Sequence, residues 1–450
     1  MRDNDVVARA TNALKIQARA PIRLLIRPFQ AFAERETSGG ILLLLCTMVA
    51  LVWVNSPYAD SYEALWHINL QVGMAGRVFG HDLRFWVNDG LMAIFFFVVG
   101  LEIKRELLVG ELASPRQAAL PVLGALGGVI VPALIYTFLN AGGRGSSGWG
   151  IPMATDIAFV IGVMALLGNR VPLGLKVFLT ALAIVDDIAA VVVIAIFYTD
   201  QIAWTAVGAA VVCLVVLAVA NRMGLRHPIP YLLVGVLLWV AVLHSGIHAT
   251  IAGVLLAMTI PSRTVLDAPG FLRQGRQILA HFEHHANQQK SAMTDEDQQI
   301  AVEALEDACE KVQAPLHRLE QGLHPWVTFL IMPLFALANA GVALGAGRMS
   351  EPVTLGVALG LLLGKPLGIF AASFLAVRGR VAALPASVTW RHVHGAAWLG
   401  GIGFTMSFFI AALAFPHPEL LQAAKFGILA GSATAGAVGY LLLLRRRSVG

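Results

Sequence analysis

Two adjacent aspartates, Asp186 and Asp187, interrupt an otherwise apolar stretch, TALAIVDDIAAVVVIAIFYT, at residues 180–199. A charged side chain at mid-bilayer costs roughly 2.5–3.5 kcal/mol on insertion scales. A membrane helix carrying two such groups must therefore turn them toward polar partners or water. Neighbours on a helix point about 100° apart, so the two carboxylates have different partners and different tasks. One natural partner is Lys365 in LGLLLGKPLGIFAAS, a buried ammonium beside Pro366, whose ring frees a backbone carbonyl. A third acid, Asp156, follows Thr155 in GWGIPMATDIAFVIG, where Gly148, Gly150 and Pro152 break the start of a span. A matching interruption, GAAWLGGIGFTMSFF, surrounds Thr405.

These residue types suit competition between a proton and a metal ion. An exposed aspartic acid, with a pKa of about 3.9, holds almost no proton at neutral pH. Burial beside a like charge can lift a carboxyl by about 3 to 5 units, where a proton and a millimolar cation compete for it. A hard alkali cation takes oxygen ligands, which Asp187, Asp156, Thr155 and freed backbone carbonyls can supply. If the empty, charged site is too costly to carry across, the protein reorients only when loaded with one or the other. That rule is exchange. An intramembrane aspartyl protease also uses two buried acids on separate helices, but it needs an aspartate after a G-x-G element, and GIG at 401–403 is followed by Phe404. A passive cation channel has no use for Lys365.

The elements that must position these groups follow from composition. The chain has 450 residues, 57% hydrophobic and 13% charged, against about 25% charged in a globular protein. With a mean hydropathy of +0.73, this excludes a secreted disulfide scaffold, a disordered chain and a nucleic-acid-binding body. The sequence reads as an all-α polytopic membrane protein whose partner is the lipid bilayer, with no nucleic-acid partner and no cofactor. Crossing about 30 Å of hydrocarbon takes roughly 20 apolar residues. About twelve stretches qualify, from 40–55 to 425–444, with one expected at 246–261. A basic segment, 1–36, precedes eight spans within 37–261; an insert, 262–323, precedes four more within 324–445. With both termini inside, 26 of the 32 Lys and Arg fall in inside segments and only Arg77, Arg84, Arg144 and Arg348 outside, which supports that topology. Lys425 is placed at a span end.

Residues 58–88 suggest an outside hairpin around Gly76 or an amphipathic loop. Within the insert, TDEDQQIAVEALEDACEKV opens with a capping box of Thr294 and Asp297 and repeats Leu305, Ala308 and Val312 at helical spacing, predicting a cytoplasmic helix that ends near Pro315. Cys46, Cys213 and Cys309 are too dispersed for a metal cluster and read as small apolar fillers. His281, His284 and His285 read as a solvated face. His248 in HSGIHATIAG is either a core histidine or a pH sensor. Glu102 and Glu106 in GLEIKREL lie at an inner span end beside Lys104 and Arg105. The three stretches starting near 118, 150 and 176 recur near 353, 393 and 425, with the broken span in the middle each time. Seven helices separate the copies, so the second runs inverted, a transporter signature.

Together, VNDGLMAIFFFVVGLEIKREL, ATDIAF, AIVDDIAAVVVIAIFYT, HSGIHATIAG, HPWVTFLIMPLFALANAG and LGKPLGI resemble the NhaA family of bacterial sodium/proton antiporters, over nearly the whole chain. The resemblance implies twelve spans with two crossed, discontinuous helices in the inner membrane. It implies electrogenic exchange of more protons than Na+, Li+ as a second substrate, activation at alkaline pH, and a homodimer joined by the hairpin. It makes Asp187 the principal sodium ligand with Asp186 as the second metal-site acid and partner of Lys365. Thr155 and Asp156 become charge compensators where the broken helices meet. Glu102, Glu106, Asp89, His248, Glu320 and His324 match the family's cytoplasmic pH-responsive region or its neighbourhood. Gln321 stands where the family pattern has histidine, and the insert from about 264 to 315 exceeds the usual short loop.

Overall fold

The computed structural model describes residues 37–74, 77–199, 201–286, 296–343 and 351–445. The 1–36 segment, Gly76 and Thr294 lie outside them. Helix α1 (Thr37–Val54) turns by 119° into a short helix α2 (Ala59–Trp66). Strands β1 (Asn69–Met74) and β2 (Arg77–Asp82) then pair antiparallel, in register from Asn69 opposite Asp82 to Met74 opposite Arg77. The 58–88 connection is thus a helix followed by a hairpin. The signal for α2 was Tyr62 and Trp66, four residues apart and buried on one face.

A π-helical segment, Trp86–Leu91, leads into α3 (Met92–Val109). Helix α4 (Pro115–Asn140) precedes a 3-10 stretch, Ser146–Met153, and α5 (Ile157–Leu167). Then come α6 (Leu173–Phe197), α7 (Trp204–Arg222), α8 (Pro228–Leu243) and α9 (Ile251–Thr259). The insert supplies α10 (Ala268–Ala286) and α11 (Glu296–Val312). Helix α12 (Pro315–Trp326) runs through a π turn, Val327–Ile331, into α13 (Met332–Asn339). Helix α14 (Pro352–Leu359) runs through another, Gly360–Gly364, into α15 (Lys365–Arg378). Helices α16 (Trp390–Leu399) and α17 (Phe404–Ala414) bend by 46° at their break, and α18 (Pro418–Leu444) closes the bundle.

Five of these helices open on proline, at Pro115, Pro228, Pro315, Pro352 and Pro418. There the missing N–H costs nothing and the fixed φ already suits a helix. Among the described residues seven helices are long and apolar enough to cross a membrane, nine if each bent pair counts as one span. Helix α3 fails that test because Glu102, Lys104, Arg105 and Glu106 crowd its end, and α8 is short. The span expected at 246–261 is helical only from Ile251, because Gly246, at φ 82°, turns the chain after α8. The helix carrying Glu320 and His324 begins at Pro315, and α10 was not anticipated. Lys425 lies well inside α18 and is buried rather than at a span end. Cys309 is exposed on α11, so it is no core filler, whereas Cys46 and Cys213 are half-buried.

The core is a phenylalanine-rich cluster in which Phe96, Phe335 and Phe409 meet with ring centroids 5.4 and 6.3 Å from Phe409. Outward faces are also apolar: Val211, Val212, Val215 and Val216 of α7 and Leu232, Leu233, Val236 and Leu237 of α8 are exposed, as a lipid-facing surface requires. Helices α4 and α15 approach backbone to backbone. A methyl group on Gly368 would strike the Gly127 carbonyl, and one on Gly127 the Gly368 carbonyl. This close pair places Lys365 of α15 deep inside.

Candidate ion-binding site

Helix α6 carries both aspartates to the interior, where Asp186 is 1% and Asp187 2% exposed. Their environments differ as their angular separation requires. The Lys365 ammonium, fully buried, donates to Asp186 Oδ2 and also to Thr155 Oγ1 at 2.8 Å. The Thr155 hydroxyl lies 2.6 Å from Asp186 Oδ2 and 2.8 Å from the Gly400 carbonyl. A hydroxyl has one proton. With Lys365 donating to its oxygen, Thr155 can serve Asp186 or Gly400, one at a time. Neither Lys365 nor Thr155 bonds Asp187, and Oδ1 of each acid is buried without a hydrogen-bond partner. Asp187 lies within electrostatic reach of Asp186, Glu102, Asp156 and Lys365.

Asp156 plays a different part. Its Oδ1 accepts from the Phe159 N–H at 3.1 Å, capping α5. Its Oδ2 accepts from the Thr405 N–H at 3.0 Å and from the Thr405 hydroxyl. The Asp156 N–H donates to the Ile402 carbonyl at 2.7 Å. One carboxylate therefore satisfies the orphan N–H groups that begin two half-helices. Ser407 Oγ donates to the Ile151 carbonyl at 2.8 Å, and Ser432 Oγ accepts from the Gly403 and Phe404 N–H groups at 3.2 Å each. Sequence reasoning found Thr405 but missed Ser407 and Ser432. The visible signal for the former was a hydroxyl one helical turn past Gly403.

The six residues matched to a pH-responsive region fall into two groups. Arg105 of α3 bridges Glu320 of α12 (Nε to Oε1, 3.0 Å) and Glu106 (Nη1 to Oε1, 3.1 Å), with Glu102 in electrostatic reach of both acids. Glu106 Oε2 also accepts from the Glu111 N–H at 3.0 Å. His324 is exposed one turn beyond Glu320. Lys104 turns the other way and donates to the Met258 and Ile260 carbonyls, each at 2.6 Å, closing the end of α9. Asp89 and His248 sit apart from all of these. His248 Nδ1 is 3.7 Å from Asp89 Oδ1, and Asp89 precedes Glu102 by thirteen residues, roughly 20 Å of helix. Gln321 pairs with His317 at 3.0 Å. His281 is exposed on α10, while the side chains of His284 and His285 lie outside the described residues.

Two broken helices meeting over a buried aspartate pair and a lysine is an arrangement for ions. The family described as Na+/H+ antiporter 1 matches residues 30–443. The chain belongs to it. An Na(+)/H(+) antiporter NhaA of Koribacter versatilis (strain Ellin345) is 50% identical over 446 residues, 98% of this chain and 95% of its own length. That of Oleidesulfovibrio alaskensis is 52% identical over 427 residues, 94% and 95% of the two chains. The solved structure of the sodium proton antiporter MjNhaP1 from Methanocaldococcus jannaschii is similar at a TM-score of 0.48 and 12% identity, over 91% of this chain and 92% of that one. The chain is thus a multi-pass membrane protein of a transporter family, not of an enzyme family.

Proposed function

We propose that the protein exchanges Na+, or Li+, for H+ across the bacterial inner membrane by alternating access at Asp186 and Asp187. The observation that carries the reading is the inequality of the two acids. Lys365 and Thr155 both engage Asp186 Oδ2 and neither bonds Asp187, while Oδ1 of each acid is buried with no donor. Two carboxylates and one ammonium leave the site one negative charge in excess, which a single sodium ion or a single proton at Asp187 cancels. Either occupant makes the site neutral and able to reorient, and the empty site stays put because an uncompensated buried charge is costly. Exchange of more protons than sodium ions needs a second carrier: the Asp186–Lys365 pair takes up a proton when it opens, so the proton-loaded site crosses with one positive charge and the sodium-loaded site with none. Thr155 holds that pair in register. Asp156 offsets the partial positive charge of two helix starts and contributes to the field at Asp187. Glu102, Glu106 and Glu320 around Arg105, with His324 beside them, set the response to pH; Asp89 and His248 form a separate titratable pair.

In this reading twelve spans cross the membrane, with both termini and the 262–323 insert cytoplasmic. The broken helices cross within two inverted repeats, and the β1–β2 hairpin joins two copies. The test uses inside-out vesicles with an acid lumen. Sodium or lithium added outside should release luminal protons, and Asp187→Asn should abolish the response. Sodium flux without proton movement would leave a channel in place of an antiporter.

A further inference from the structure

The insert is more than a spacer between spans. Helices α10 and α11 pack on each other, burying Gln298, Ala301 and Ala308 of α11. The base of this hairpin is closed on itself, the start of α12 is tied to the end of α9, and one ion pair joins the hairpin to α12. The Val265 and Leu266 N–H groups both donate to the Lys311 carbonyl, at 2.9 and 3.1 Å. The Leu316 N–H donates to the Pro261 carbonyl at 3.1 Å, and its side chain is buried in a cluster with Leu101 of α3 and Ala257 and Ile260. Glu310 Oε2 of α11 pairs with Arg318 Nη1 of α12 at 3.0 Å. Only Gln313 and Ala314 separate α11 from α12, so the two helices cannot move far without one another.

Arg318 is two residues from Glu320, and Glu320 is the acid that α12 presents to Arg105. Arg105, Glu102 and Glu106 of α3 face Glu320; on its own helix His317 and His324 lie one turn to either side, with His317 bonded to Gln321 and Arg318 paired with Glu310 of α11. We infer that the α10–α11 hairpin is a cytoplasmic lever on α12: its position fixes how closely Glu320 meets Arg105, and thereby the pH at which exchange begins. The inference rests on the antiport reading for its functional half and on the contacts at the root of the hairpin for its mechanical half.

The ends of the hairpin lie close together, since Val265 bonds to Lys311, so residues 268–312 can be replaced by a short Gly-Ser linker without straining the bundle. Two measurements on the full-length and shortened proteins test the two halves separately. Amide hydrogen exchange over 315–326 should quicken in the shortened protein. Sodium-driven proton release across pH should keep its plateau while its midpoint moves by about half a unit or more, the scale on which a nearby charge acts. Glu310→Gln and Arg318→Gln should each move the midpoint in the same direction by less, and they decide the matter if the shortened chain does not reach the membrane. Unchanged exchange over 315–326 overturns the lever whatever transport does, and so does a midpoint coincident with the unaltered protein's. Absence of any sodium-driven release from the unaltered protein removes the antiport reading instead, with hydrogen exchange still judging the mechanical link.

Discussion

Neutralising either member of the aspartate pair should give opposite balances of stability and function. Asp186→Asn leaves the fully buried Lys365 ammonium without its carboxylate, and breaking a buried ion pair by removing one partner costs about 3–5 kcal/mol. If unfolding entropy scales at about 2.1 cal/mol/K per residue, 450 residues give roughly 0.9 kcal/mol/K, and the melting midpoint should fall by about 3–5 °C. Asp187→Asn removes a charge whose Oδ1 has no hydrogen-bond partner. The amide keeps an oxygen there but ends the like-charge repulsion from Asp186, Glu102 and Asp156, so this variant should melt at or above the parent temperature while losing the sodium response entirely. The assay is a heating series on detergent-solubilised protein followed by gel filtration, beside proton release from vesicles for each variant. An Asp187→Asn protein that melts below Asp186→Asn would refute the assignment of the ion pair. A normal sodium response in Asp187→Asn would refute the assignment of the ligand.

Thr405→Val removes one of the donors to Asp156 Oδ2 but keeps the backbone N–H; it should cost about 1.5–3 kcal/mol as a lost bond to a charged group, and Thr405→Ser should recover most of that in the same heating series. Gly368→Ala drives a methyl into the Gly127 carbonyl and should destabilise by at least about 1–3 kcal/mol, read as loss of monodisperse protein. Gly208→Ala, with open space at its Cβ, should do no harm and serves as its control. Arg105→Gln withdraws the guanidinium from three acids, so the pH profile of proton release should move toward alkaline values. Arg105→Lys should fall between, because one ammonium cannot reproduce the two separate contacts made through Nε and Nη1.

The chemistry of the site was written locally and could be read locally. Asp186 and Asp187 in an apolar run, Lys365 before Pro366, and Asp156 after a Gly/Pro break each violate the rule against charge in hydrocarbon, and each was found that way. Long helices such as α4, α6 and α18 were equally plain from length and apolarity. Less legible was anything set by partners distant in the chain. That Asp156 grips Thr405 at a separation of 249 residues, or that His248 faces Asp89 rather than the Glu102 group, depends on which helices lie side by side. The π turns at Trp86–Leu91, Val327–Ile331 and Gly360–Gly364 insert one residue per turn into otherwise regular helices, and nothing in apolar periodicity marks them. Helix α10 was overlooked because its polar face dominates its composition.

Because a single carboxylate, that of Asp156, is tied to the first turns of both half-helices, neither can slide without dragging its counterpart. The cradle around the aspartates must then travel as one body, and the joints that bend during transport belong at its margins, where helices change pitch or chain direction. Labels placed on α5 and α17 should keep their spacing through the whole cycle while both change distance to α1.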